Sequence, residues 1–129
     1  MNDLRVSLVQ ESTVWHDAQA NRELYGARVR ALRGDTDLIV LPETFTSGFS
    51  NDALIRAEGM DGASVAWLRA LAAEVGAVVT GSMVIREGDK VFNRLLWARP
   101  DGTLAHYDKR HLFRMAGEHH RYADGKRRL

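Results

Sequence analysis

Cysteine is absent from all 129 residues, which excludes disulfides and any metal site built on thiolates. Proline is nearly absent, with only Pro42 and Pro100, and there is no linker, internal repeat or low-complexity run. Long apolar stretches are missing too, so no segment is suited to span a bilayer. The opening "MNDLRVSLVQ" has neither the charged start nor the apolar run of a secretory leader, and the cytoplasm is the expected compartment. Charge of one sign is also lacking. A formal net charge of +1 gives no basic face for nucleic acid or an acidic membrane, and the closing "GKRRL" reads as a solvated tail. What is present, 45% hydrophobic and 27% charged residues, describes one ordinary domain over residues 1–129 with enough chain to bury a core.

Apolar patterning gives the order β-α-β-α-β-β-β. "LRVSLVQ" (Leu4–Gln10) alternates as a strand does. From Asp17, Ala20, Leu24, Ala27 and Ala31 share helical spacing, and Gly34 stands near the stop. Asp37–Leu41 is a short, continuously apolar strand of the kind covered on both faces. A second helix starts near Ser64 as N-cap, carries Val65, Leu68, Ala72 and Val75 on one face with Trp67 and Leu71 beside them, and stops at Gly76. Three further strands are predicted at Ala77–Ile85, Lys90–Ala98 and Thr103–Asp108, the last two separated by the Pro-Asp-Gly turn of "RPDG". This order predicts an α/β sheet with a hairpin-connected, partly antiparallel edge. The last twenty residues show no period and read as a long loop, which suggests that more chain packs on it.

Ligands of open α/β sheets gather beyond the carboxyl ends of strands, where Glu43 and Lys109 are both expected. A carboxylate and an ammonium there suit a general base and an oxyanion stabiliser. Taken singly, a loop-anchoring acid and a solvated lysine explain the two residues as well.

The wording around them is more specific. "IVLPETFTSGF", with "NRLLWARPDGTLAHYDKRHLF", resembles the nitrilase, or carbon-nitrogen hydrolase, superfamily, and within it the ω-amidase-like branch, from Leu4 to about Gly125. The resemblance implies the N-terminal portion of a nitrilase-type αββα sandwich, a mixed sheet with flanking helices. It also implies hydrolysis of non-peptide C–N bonds by a Glu-Lys-Cys triad without a cofactor. Glu43 matches the base and Lys109 the residue that steadies the tetrahedral oxyanion. Glu118, in "AGEHH", resembles an additional glutamate that orients lysine and substrate. The implied substrate is a small-molecule amide, an ω-amide such as 2-oxoglutaramate or 2-oxosuccinamate, and the implied partner a second copy of the chain, with neither nucleic acid nor membrane involved.

The triad's cysteine, which follows the strand after the lysine in this family, has no counterpart here. None of Ser82, Thr44 and Ser47 lies beyond Lys109, so none replaces it; Thr44 and Ser47 are expected at the pocket mouth. The chain is therefore expected to be an N-terminal piece of such a hydrolase, inactive alone. A non-catalytic interaction module is the alternative.

Other signals are weaker. His106, His111, His119 and His120 match no metal-ligand spacing, and no metal is expected. "LPET" lacks the glycine and the apolar tail of a sorting signal. Phe49 could line a substrate pocket or pack in the core, and Asn93 could turn its amide to the active-site edge or pair across the hairpin, the structural role being favoured. Two geometric expectations follow. Glu43 and Lys109 should converge from neighbouring strands, and Val91, Leu95 and Trp97 should form an exposed apolar face that promotes self-association or marginal folding.

Overall fold

Five strands line up in their order along the chain, β1 (Val6–Leu8), β2 (Leu38–Val40), β3 (Val78–Glu87), β4 (Lys90–Ala98) and β5 (Leu104–Asp108), in a computed structural model that describes residues 2–129. β1, β2 and β3 pair in parallel, while β3–β4 and β4–β5 pair antiparallel. β5 therefore runs in the same direction as β2. The mixed sheet with a meander edge agrees with the element order read from the pattern.

The parallel strands are joined by crossover helices, α1 (Ala18–Arg30) between β1 and β2 and α3 (Ala63–Val75) between β2 and β3. Asp17 caps α1 by accepting the Ala20 N–H at 2.9 Å, which satisfies one of the helix's unpaired donors. The buried stripe of α1 is not the alanine-rich one. Asn21, Tyr25, Gly26 and Val29 face the core, and Ala27 and Ala31 are exposed. Alanine loses little by facing water, whereas Tyr25 buries a ring. Asn21 can be buried because it accepts from Val14 N and donates to Val14 O and Thr46 O. On α3 the expected face holds, with Val65, Leu68, Leu71, Ala72 and Val75 buried and Gly76 ending the helix at φ 70. Its start lies earlier than expected, at Gly62, and Ser64 instead donates its N–H and hydroxyl to Glu58 at 3.0 and 2.5 Å.

Successive strand residues face opposite sides. One side of the sheet, with Val79, Met83, Ile85, Leu96 and Ala98, packs under α1 and α3 to form the main core. The other side carries Ser82 and Val84 of β3, Asn93, Leu95 and Trp97 of β4, and Tyr107 of β5. Part of this second side is covered. Val84 and Val91 pack with Tyr122 and with Ala53 of α2 (Ala53–Arg56), a short helix not foreseen from the pattern. The bare face is thus narrower than expected: Val91 is buried, Trp97 is half-buried, and Leu95 is exposed.

The closing segment is a loop with two single 3₁₀ turns, Arg114–Ala116 and Glu118–His120. It is anchored rather than free. Ala123 N donates to Val91 O at 2.7 Å, Gly125 N to Lys109 O at 2.8 Å, and the Tyr122 hydroxyl to Ser50 O at 2.7 Å.

Candidate active site

Glu43 and Lys109 leave the same edge of the sheet but not from neighbouring strands, because β3 and β4 lie between β2 and β5. Three strand spacings come to about 14 Å, too far for the two side chains to meet directly. The chain after β2 closes the gap. Leu41 N donates to Thr80 O at 2.7 Å and Phe45 N to Ser82 O at 3.1 Å, and between these two bonds Pro42, Glu43 and Thr44 loop out. Thr44 takes the left-handed φ of 48, a costly conformation for a β-branched residue. Its N–H is held by the Ser82 hydroxyl at 2.8 Å. Ser82 stands on the same side of the sheet as Asn93, and Glu43 is carried over to that side. Gly81 permits the approach, since a Cβ there would lie 2.9 Å from both Leu41 Cβ and Phe45 Cδ1.

Lys109 is positioned by backbone and by neighbour. Its N–H donates to Asn93 O at 2.9 Å and its carbonyl accepts from Gly125. On the helix side of the sheet, buried Arg94 grips Asp108, the preceding residue, through two bonds of 2.6 and 3.0 Å, a fork geometry that fixes the end of β5.

The side chains then meet. Lys109 Nζ lies 2.9 Å from Glu43 Oε1 and 3.1 and 3.4 Å from the two oxygens of Glu118. Glu118 is fully buried and also accepts the Phe113 N–H at 2.6 Å. Asn93 Nδ2 donates to Glu43 Oε1 at 2.7 Å and lies 3.5 Å from Glu118 Oε2. Burial alone would lower the Lys109 value, but its bonds to Glu43 and Glu118 outweigh that and hold it above the ordinary lysine range. The ammonium is thus kept charged. Burial first, and then Glu118 and Glu43, push the Tyr122 phenol well above its usual value.

A pocket of about 260 Å³ opens here, floored by Leu41, Leu95 and Tyr107 and rimmed by Glu43, Asn93 and Lys109. Phe49 is exposed rather than in the core, with its ring centroid 5.7 Å from Lys109 Nζ. Thr44 and Ser47, expected at the pocket mouth, are buried. Of the histidines, His119 and His120 face each other at 3.9 Å between ring centroids. Among the described residues no three His, Asp or Glu side chains gather as a metal ion would require. An apolar floor with a carboxylate and a charged ammonium at one end suits a small polar molecule whose reacting bond gains negative charge.

Asn93, for which the pattern allowed the active-site edge but favoured a structural role, joins the site through its bond to Glu43. Its one available signal was position, since it pairs in register with the start of "KRHLF" across the β4–β5 hairpin.

Comparison with known proteins supplies the remaining evidence. The carbon-nitrogen hydrolase family profile matches residues 5–128. The omega-amidase YafV of Yersinia enterocolitica is 43% identical over 132 residues, covering 99% of this chain and 49% of the relative. A 2-oxoglutaramate amidase of Bacillus subtilis is 35% identical over 86 residues, 64% of this chain and 33% of its own length. The crystal structure of XC1258 from Xanthomonas campestris, a CN-hydrolase superfamily protein with an arsenic adduct in its active site, superposes with a TM-score of 0.97 at 61% identity, over 100% of this chain and 49% of that one. The chain spans about half the length of the Yersinia and Xanthomonas relatives.

Proposed function

The chain belongs to the carbon-nitrogen hydrolase family, and from that premise we propose that Glu43, Lys109 and Glu118 are part of an amidase centre that releases ammonia from ω-amides of short 2-oxo dicarboxylates, 2-oxoglutaramate among them. The observation that carries this reading is the 2.9 Å contact between Glu43 and Lys109 at the rim of an apolar-floored pocket, made by residues from strands that are not neighbours. The names of the Yersinia and Bacillus relatives support the substrate class.

In this reading Glu43 takes the proton of a thiol, and the sulfur adds to the amide carbon. Lys109 steadies the oxyanion that forms. The C–N bond breaks as Glu43 returns the proton to the leaving nitrogen, ammonia departs, and water then hydrolyses the thioester to the dicarboxylate and the free thiol. Glu118 holds Lys109 in place, and Phe49 lines the approach. The chain contains no cysteine, so the sulfur has to come from outside these 129 residues. Self-association belongs to the same proposal, supported by exposed Leu95 beside the pocket and by exposed Val6 and Leu8 on the edge strand β1. So does a cytoplasmic setting, which a chain without disulfides suits. Among the described residues no helix is long and apolar enough to cross a membrane. The absence of cysteine also favours a second reading, a non-catalytic interaction module.

The test is a chimera in which this chain is followed by the second half of the Yersinia omega-amidase. It is expected to release ammonia from 2-oxoglutaramate, while residues 1–129 alone do not exceed the uncatalysed rate. Glu43→Gln and Lys109→Ala should each lower the chimera's kcat by about 10²–10³-fold. A folded chimera without activity favours the module, and one indifferent to Glu43→Gln removes Glu43 from the mechanism.

A further inference from the structure

Glu43 poses a problem that Lys109 does not solve. Its side chain is half exposed, and a long glutamate at a pocket rim keeps much of its rotational freedom. Lys109 does not fix it alone, since its Nζ is shared between Glu43 and both oxygens of Glu118. A base acts well only when its lone pair is aimed.

Asn93 has what Lys109 lacks. It sits within β4, bonded on both sides in the sheet, opposite Val84 on β3 and, through its carbonyl, to the Lys109 N–H on β5. It is 2% exposed, so its amide has little room to turn. Both groups in front of it are carboxylates, which only accept, so the NH₂ end must face them. That end donates to Glu43 Oε1 at 2.7 Å, the same oxygen that Lys109 holds at 2.9 Å. Glu43 Oε2 accepts no hydrogen bond among the described residues. Glu118 differs, because its two oxygens are occupied by Phe113 N–H and Lys109, with Asn93 at longer range.

We infer that Asn93 is a positioning residue: with Lys109 it pins Oε1 of Glu43, so that Oε2 is the oxygen presented to the proton. This rests on the amidase reading for its purpose, though not for its geometry. A neutral donor is the residue type that fits. Lysine would compete with Lys109 for both carboxylates, and aspartate would add a third negative charge to the pair.

The experiment has two arms. Crystal structures of the 129-residue chain with Asn93→Asp, and with Asn93→Ser should the aspartate prevent folding, report where the Glu43 carboxylate lies. The expected result is a carboxylate displaced from Lys109 or spread over several rotamers, with the Lys109–Glu118 pair retained. A Glu43 that superposes on its original position overturns the proposal and leaves Asn93 as a packing residue. In the chimera described above, the same variants should lower kcat by about 10²-fold with KM unchanged, and Asn93→Asp should recover towards acid pH, where the new carboxyl is protonated and can donate. Unchanged kcat, or a rise in KM alone, also overturns it. A chimera inactive before any substitution counts against the amidase reading, and the crystal structures then decide the role of Asn93.

Discussion

Glu118 is the most constrained residue of the site, a carboxylate with no exposure whose two oxygens are held by a backbone N–H and an ammonium. Glu118→Ala leaves the Phe113 N–H without its acceptor and Lys109 with Glu43 alone. Breaking a buried pair costs about 3–5 kcal/mol, but Lys109 keeps one partner and some solvent, so the expected loss is about 2 kcal/mol, read from urea denaturation. Lys109 itself sets a pH dependence. Its value is raised in the fold, so its contribution is complete below the unfolded-state value of 10.5 and is lost as pH rises through the higher folded value. Tyr122, raised mainly by burial, adds to the same alkaline loss, because the unfolded phenol ionises first. Urea midpoints should therefore fall above about pH 10, and Lys109→Met should weaken that dependence while lowering stability at neutral pH.

Among the elements, the approach of β2 to β3 decides whether a site exists. Gly81 lies under Leu41 and Phe45 at distances that no Cβ tolerates, and the bonds that shape the Glu43 loop run from Thr44 and Phe45 to Ser82, the next residue. Gly81→Ala is expected to cost about 1–3 kcal/mol and to speed amide hydrogen exchange at Thr44 and Phe45 before it affects α3. Equal exchange at those two amides in both proteins would show that the loop holds its shape without the close contact. The helices show what patterning conveys at this scale. α3 was legible because Val65, Leu68, Ala72 and Val75 are strongly apolar at helical spacing. α1 was placed correctly but turned wrongly, because its core face includes a buried asparagine and a glycine, which apolar counting ignores.

At the scale of the whole molecule, the helix-covered side of the sheet is closed and the other side is not. Leu95 is exposed beside half-buried Trp97 and Tyr107, and β1 ends one edge of the sheet with Val6 and Leu8 in solvent. Exposed apolar surface and an unpaired strand edge both favour contact with another chain. Light scattering of the 129-residue chain is expected to show an apparent mass that rises with concentration, and Leu95→Lys is expected to lower it. A constant monomer mass with a cooperative melt at every concentration would mean that this face is stable in water.

The residues alone determined the element order, the α3 face, the three strands of the meander and, through the wording around Glu43, Lys109 and Glu118, the family and three members of the candidate site. These are local properties: periodicity, turn chemistry and short motifs survive without a fold. Only the tertiary structure decided that β3 and β4 separate the strands bearing Glu43 and Lys109, that the loop after Pro42 crosses to meet the lysine, and that Asn93 joins them. Each of these depends on strand order and on which face a residue takes, and both are set by packing between segments far apart in the chain. Asn93 and Glu43 are bonded 50 residues apart, a separation at which no periodicity in the sequence links them.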